Sequence, residues 1–565
     1  MFSAGRRAYL RTASHSLRQL QICQSRRTVT RQLHSASQPS RRWIGRGAVA
    51  GGGALALLGG FIAYQTLAQP SLKLDAPAPT TEKKSKPRAK PTEITRFWDR
   101  PGVYMWGSNS GRVAAPESDE AFVKAPRRIA FFDGHLLRDI QMAADKGVAV
   151  TENGDIYQWG TAYTPDCRAP VLTFPGKDIV KVGLSEDRVV ALSSSGKVYS
   201  IPFSKEEQEV FAKPTEYGKM PFSSWTSAVS YRNLTPQLGW WERIVDIGVG
   251  LEHTVMLTSK GRVFTAACAS YQFPLKGQLG IADMSWKNRP KPYDTPLEVT
   301  ELSKSKITQI AAGDYHSVVA DKDGNIFSWG DNVKGQLGFE YLDGPVFQPT
   351  PLPPRTFYKG EDVKAKLCKI YAGGQNSFFT IDAEMPDPAD AKKTIKSHDI
   401  FGCGYDVYGT IGAGIWVHAQ PLPQKLKEVS GLTEFSEKHG MLMPITSSYM
   451  TVGNTHAAVI MDNLASVRRG WRQADPSFGN DIMFFGGNEF YQLGNGKRVN
   501  MNKPTYVPPL EPDIGSRTRN MEDRFQVVPE RKVTIVDQNS RQRSVKIEQR
   551  IVAGRDLTAC YARTC

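Results

Sequence analysis

Three histidines stand at equivalent places in a recurring pattern: His253, His316 and His456. Histidine at neutral pH carries protons or binds metal, so a set of three raises the prospect of a tris-imidazole site. Each one, however, follows a glycine by three residues (Gly250, Gly313, Gly453) and opens its own apolar run. Each therefore belongs to a different copy of one unit, and copies spread around an array do not converge on one ion. Structural hydrogen bonding is the expected role. Trp106, Trp159 and Trp329 likewise share one repeat position and are expected in the core rather than on a stacking platform. Once Cys23 is set aside with the leader, Cys167, Cys268, Cys368, Cys403, Cys560 and Cys565 remain. Cys560-x4-Cys565 is the only close pair and no C-x2-C occurs, which fits scattered free thiols better than zinc or iron–sulfur binding. A disulfide between those two stays open. There is no G-x4-G-K-S/T, no H-E-x-x-H and no G-x-S-x-G. Gly402-x-Gly404 ends a strand rather than opening a helix, and Glu206-Glu207 reads as solvated charge. The expectation is a protein that is not an enzyme, with no cofactor, no metal and no catalytic residue; no partner-binding residue is assigned.

The elements that carry these residues repeat. Openings begin at Ile140, Val182, Ile247, Ile310, Ile370, Met450 and Ile551, spaced 42, 65, 63, 60, 80 and 101 residues apart. The apolar-aromatic strand that follows the turn occurs at 103–107, 156–160, 198–202, 263–267, 326–330, 400–404 and 482–486. Each set numbers seven, but the first strand lacks an opening and the last opening (with Gly554) lacks a strand. The two halves complete one another only if the chain closes into a ring, which removes the free sheet edge at the seam. Asn153-Gly154, Ser195-Gly196 and Asp323-Gly324 supply hairpin turns with positive φ. Long loops are expected over about 204–240, 283–303, 340–366, 383–398, 462–480 and 511–548. Within Ser516–Arg550 an added hairpin and a partner-binding arm are the two readings.

The net charge of +16 comes from 72 Lys+Arg against 56 Asp+Glu, but 18 of the bases and only 4 of the acids fall in residues 1–100. Residues 101–565 thus carry 54 and 52, nearly neutral, which argues against direct nucleic-acid binding. No acid precedes Asp75, while arginine and serine abound, the composition of a mitochondrial transit peptide. We assign 1–33 to that peptide, 34–46 to a basic segment, 47–67 to a transmembrane helix, 68–95 to a Pro/Lys-rich linker and 96–565 to the repeats. The 21 residues 47–67 lack charge and proline and would span roughly 32 Å as a helix, enough for a bilayer core. Gly47-x-x-x-Gly51 fits either a helix-dimer face or lipid-facing glycine. Basic residues flank both ends, so the side occupied by the repeats stays open.

The run from Gly313 to Gly338, with His316, Trp329 and Gly330 in place, resembles the regulator of chromosome condensation repeat. That resemblance implies an all-β fold, a seven-bladed β-propeller closed by the N-terminal strand and the C-terminal repeat. It also implies use of the fold as a protein-binding platform. Histidine is kept in three units; Lys146, Arg188, Asn376 and Leu557 replace it elsewhere. With a transit peptide and an anchor, the chain is similar to fungal mitochondrial inner-membrane propellers linked to assembly of the cytochrome bc1 complex. The implied function is a scaffold at the mitochondrial inner membrane, single-pass, whose partners are respiratory complex III subunits or assembly intermediates. A nucleotide exchange factor for a mitochondrial GTPase and a mitoribosome-associated scaffold are the alternatives.

Overall fold

Alternating apolar and small residues, punctuated by glycine turns, form short antiparallel strands in a computed structural model of the chain. It describes residues 101–565 apart from 218–223, 271–272, 283, 285–292, 340–343, 359–362, 388–389, 437–438, 464–478, 511–523 and 537–541. The chain divides into two compact units, Met1–Ser85 and Lys86–Cys565, and every described residue belongs to the second. The expected transit peptide, basic segment, membrane helix and linker lie outside the described residues. Among the described residues, no helix is long and apolar enough to cross a membrane.

One sheet shows the unit. Ile307–Ala312, His316–Asp321, Ile326–Gly330 and Val346–Leu352 pair in that order, all antiparallel. The turn before Ile326 is made by Gly324 at φ +85°, a conformation that costs a residue with a Cβ. The same order recurs in Ile244–Val249, His253–Thr258, Val263–Ala267 and Leu297–Glu298. Three further sheets follow the scheme, opening with Ile179–Leu184, Lys364–Gly373 and Ser447–Val452.

Seven separate blades were expected. Five sheets of four or five strands stand alone, and the other blade strands form a single nine-stranded sheet. That sheet holds Leu137–Ala143, Lys146–Thr151, Ile156–Trp159 and Val171–Phe174 together with the seam, where Val103–Ser108 lies against Leu557–Thr564. The merger has a local cause: Leu557–Thr564 runs 8 residues where His316–Asp321 runs 6. Its overhang pairs Arg563 with Leu137, in parallel.

Two other expectations need correction. The segment 383–398 is no loop, because Asn376–Asp387 and Asp390–Asp406 extend the hairpin far beyond the sheet. The expected loops also contain the fourth, outer strands, such as Val346–Leu352 and Arg232–Asn233. The insert 516–550 contributes an added hairpin, Arg531–Val536 against Gln542–Ala553.

The first strand of every unit faces a channel of about 740 Å3. Near its mouth the backbones of adjacent units approach closely. A Cβ on Gly313 would sit 2.1 Å from His316 Cε1 and 2.7 Å from the Gly374 carbonyl oxygen. Gly313→Ala is therefore expected to force the two units apart, at about 1–3 kcal/mol of stability or more. Urea denaturation measures the loss; an unchanged midpoint would show that the neighbouring backbone gives way freely.

Candidate interaction face

The units are tied to one another where their first and second strands meet. Gly250, Gly313, Gly453 and Gly554 each donate a backbone N–H to the carbonyl of the residue three positions on, at 2.8–2.9 Å. The channel mouth is then laced by bonds between units. Glu186 N–H donates to Leu251 O, Leu251 N–H to Asp314 O, Asp314 N–H to Gly374 O, Asn454 N–H to Gly554 O, and Arg555 N–H to Met142 O, over 2.7–3.3 Å. Because these carbonyls come within van der Waals distance of the glycines, a side chain has no room there. An added Cβ would lie 2.5 Å from Gly313 O at Gly250 and 2.4 Å from Gly554 O at Gly453.

The repeat histidines are fully buried and reach into the next unit. His253 Nε2 lies 2.9 Å from Ser317 Oγ, His316 Nε2 2.9 Å from Ser377 Oγ, and His456 Nε2 2.7 Å from Thr558 Oγ1. Ser377 and Thr558 donate their hydroxyl protons onward to the Gln336 and Gln492 carbonyls, both at 2.7 Å. Each hydroxyl therefore accepts from its histidine, which assigns the Nε2–H tautomer at His316 and His456. Nδ1 of all three has no partner. Burial pushes each imidazole from its ordinary value of 6.5 down to about 3, so all are neutral linkers. No two of these hydrogen bonds share a hydroxyl. Where histidine is replaced, Arg188 does different work: its Nε meets Ser200 Oγ at 2.7 Å and its Nη1 meets Ser270 Oγ at 2.9 Å.

The tryptophans tie each unit to the one before. Trp329 Nε1 donates to Gln278 O, Trp106 Nε1 to Gln492 O and Trp159 Nε1 to Val113 O, at 2.9–3.0 Å. Gly330, next to Trp329, takes φ +106° with its pro-Cβ position 2.4 Å from Tyr315 O. Two of the loops that receive these bonds, at 109–115 and 488–494, and the loop at 332–338 are held by a side chain that repeat counting overlooked. Asn332 Oδ1 accepts from Leu337 N–H, Asn488 Oδ1 from Leu493 N–H and Asn109 Oδ1 from Ala115 N–H, at 2.8–3.1 Å. The recurrence of Asn two residues after the glycines at 107, 330 and 486 is the signal that could have found it. In the next unit the position is Asp406, which accepts from Ile411 N–H at 2.8 Å through Oδ1 and leaves Oδ2 unpartnered. Burial without a counter-charge pushes this carboxyl up to about 7.

These rigid loops present an exposed apolar arc on the face that carries the histidine turns. Leu275, Val333, Val407, Ile415, Trp416 and Val499 are all exposed, Trp416 at 52%. Cations are folded down between them: Lys276 Nζ sits 3.5 Å over the Tyr315 ring and 3.2 Å from Asp331, and Lys334 Nζ lies 2.6 Å from His418 Nε2. Arg555 reaches Asp314 at 2.6 Å across the channel mouth. Apolar surface rimmed by ordered charge suits recognition of another protein.

One cluster away from the face combines metal-ligating groups. Cys368, Asp382 and His398 lie on neighbouring strands with their donor atoms within 4.8 Å of one another. His398 Nδ1 bonds Asp382 Oδ1 at 2.7 Å and Nε2 bonds Ser447 Oγ at 2.8 Å. That hydrogen bond holds Asp382 below the usual carboxylate range, while burial pushes the Cys368 thiol up to about 11. The donors match a zinc-type ligand set in kind, yet the protonated thiol makes a poor nucleophile. Their sequence separation hides them, since only strand register aligns residues 368, 382 and 398. Cys560 and Cys565 are not joined by a disulfide; five residues apart along an extended strand they stand about 16 Å apart, beyond disulfide reach.

The regulator of chromosome condensation repeat is matched at residues 276–320 and 307–336. The chain is 25% identical over 447 residues to "Protein FMP25, mitochondrial" of Saccharomyces cerevisiae, covering 73% of this chain and 66% of that one. It is 26% identical over 259 residues to "RCC1 domain-containing protein RUG3, mitochondrial" of Arabidopsis thaliana, covering 42% and 52%. The match thus spans less than two thirds of either relative. Among solved structures, human WBSCR16 superposes with a TM-score of 0.52 at 16% identity, over 82% of this chain and 99% of that one. The likeness is one of fold: an all-β propeller.

Two titrations follow from this geometry. Unfolded histidine binds a proton near pH 6.5, whereas the buried ones resist until about pH 3. The unfolded chain holds more protons in that window, so stability falls as pH drops through it. His316→Gln is expected to be less stable than wild type at neutral pH and to lose less on going to about pH 5. Asp406 has the opposite sign. Its folded carboxyl stays protonated up to about pH 7 while the unfolded one ionises near 4, so stability falls as pH rises between them. Asp406→Asn, which restores the residue used in three other units, should add on the order of 1–3 kcal/mol above pH 7 and little at pH 4. Thermal unfolding across pH measures both.

Proposed function

We infer that this chain is a non-enzymatic scaffold anchored at the mitochondrial inner membrane, whose propeller holds a subunit or intermediate of respiratory complex III during assembly. The observation that carries the reading is the apolar arc from Leu275 to Val499, mounted on loops that the ring holds rigid. The nine-stranded sheet is read as two blades fused at the seam, which gives a ring of seven units around the channel. Mitochondrial placement is supported by the acid-free, arginine-rich leader and by two relatives whose names place them there. The uncharged residues 47–67 support the anchor. The complex III role draws on the resemblance to fungal inner-membrane propellers carrying this repeat.

The test is affinity purification of the tagged full chain from gently solubilised mitochondria, with Val333→Asp/Trp416→Ser as the comparison. Complex III subunits or their assembly factors are expected with the wild type and reduced at least tenfold with the variant, a loss of about 1.4 kcal/mol. Deletion of the gene is expected to lower mature complex III while its subunit mRNAs stay normal. An unchanged complex III would remove the assembly role; a GTPase or ribosomal proteins as the main partners would assign the arc to one of the alternatives.

A further inference from the structure

The opposite face of the ring, where the hairpin turns lie, carries the most exposed aromatic residues among those described. Trp240 and Trp241 stand at the tip of the turn leading into Ile244–Val249, 88% and 94% exposed. Trp241 is held at φ +61°, a left-handed conformation unfavourable for a bulky residue, and Glu242 N–H closes the turn onto Gly239 O at 3.1 Å. A monomer in water has no use for two protruding indoles on a strained tip.

The surroundings are basic and joined edge to edge. Lys197, Arg243, Lys260, Lys304, Lys306 and Lys322 are exposed and form no ion pair with another described residue. A Cβ on Gly196 would be 2.7 Å from Arg243 Cβ, one on Gly261 would be 2.8 Å from Lys306 Cγ, and Lys322 N–H donates to Lys306 O at 3.0 Å. The adjacent acids Glu242 and Glu298 share the Arg262 guanidinium, Glu242 at 3.1 Å, and Glu301 and Asp323 are the exposed acids within this row. Indole rings at the tip of a cationic patch match the two chemical layers of an anionic bilayer surface, acyl–headgroup boundary and phosphate.

The course of the chain points the same way. Val103–Ser108 pairs antiparallel with Leu557–Thr564, which starts at the Gly554 turn on the histidine face. Val103, opposite Tyr561, is therefore at the hairpin-turn face, and so is Pro101, whose carbonyl accepts from Gly134 N–H. The described chain thus begins, at Pro101, on the face that carries the tryptophans.

We propose that the hairpin-turn face docks on an anionic lipid bilayer, with Trp240 and Trp241 inserted at the headgroup boundary and the Lys197–Lys322 row against lipid phosphates. The apolar arc on the opposite face is then presented away from the membrane. The identity of the membrane rests on the anchored reading, but the docking does not.

The experiment reconstitutes the full chain into phosphatidylcholine vesicles with and without cardiolipin, using brominated acyl chains that quench nearby indoles. The wild type is expected to show quenched, blue-shifted emission that grows with cardiolipin and shrinks in 1 M salt, where the screening length falls to about 3 Å. In a Trp43→Phe background, which removes the indole beside the uncharged stretch, the quenched component should vanish in Trp240→Phe/Trp241→Phe, and also in Lys260→Glu/Lys306→Glu/Lys322→Glu, which keeps both reporters. Unquenched tryptophans in a chain that resists alkaline extraction would overturn the docking while sparing the anchor, and would leave the pair to an acidic protein partner. Quenching independent of cardiolipin would overturn the anionic surface. Release by alkali with quenching intact would overturn the anchor and spare the docking.

Discussion

Backbone packs against backbone at the channel mouth, where the glycine of one unit meets the carbonyl of the next. Buried peptide groups need partners, and here those partners come from the neighbouring unit: Leu251 from Asp314, Asp314 from Gly374, Arg555 from Met142. With only a hydrogen on Gly250, Gly313 and Gly453, the carbonyls come close enough to serve. The histidines depend on the same approach, since Nε2 spans to the next hydroxyl only when the mouth is closed. A ring built this way has no terminal unit. Its two half-units complete each other through Val103–Ser108 and Leu557–Thr564.

This inner closure leaves the outer loops free to vary. The Gln-Leu-Gly loops at 278 and 492 are fixed from below by Trp329 and Trp106, and those at 336 and 492 from within by Asn332 and Asn488. The residues between the anchors can then be apolar and exposed without loosening the fold, as Val333 and Val499 are. Local polar satisfaction thus pre-orders an exposed apolar surface, the condition for binding a second protein with little ordering cost. Asp406 is the exception: a carboxylate takes the place of an amide and one oxygen stays bare.

Much of this was readable in the sequence. The Gly-x-x-His opening, the turn glycines and the strand ending in Trp329-Gly330 recur at a fixed internal spacing, so the all-β repeat and the circular offset follow from counting. The histidines were separable from a metal site because each lay in its own copy. What counting missed were features set by register between distant segments. The overhang that joins Arg563 to Leu137 depends on strand length, which periodicity does not bound. The hairpin through 383–398 has too little apolar alternation to be distinguished from a loop, because both its faces meet water away from the sheet.

By itself, the sequence determined the repeated unit, the circular offset of its two half-units and the near neutrality of residues 101–565, since all of these reside in local pattern and composition. Only the tertiary structure decided which surfaces stay bare. Repeat position marks Val318 and Trp329 for the core, but nothing in the chain marks Leu275, Val333 and Trp416 as exposed. The distinction arises because adjacent units fill the space over one set and leave solvent over the other. The placement of Trp240, Trp241 and Pro101 on one face and the apolar arc on the other has the same origin: strand direction within each unit sends hairpin turns to one side of the ring and the Gln-Leu-Gly loops to the opposite side.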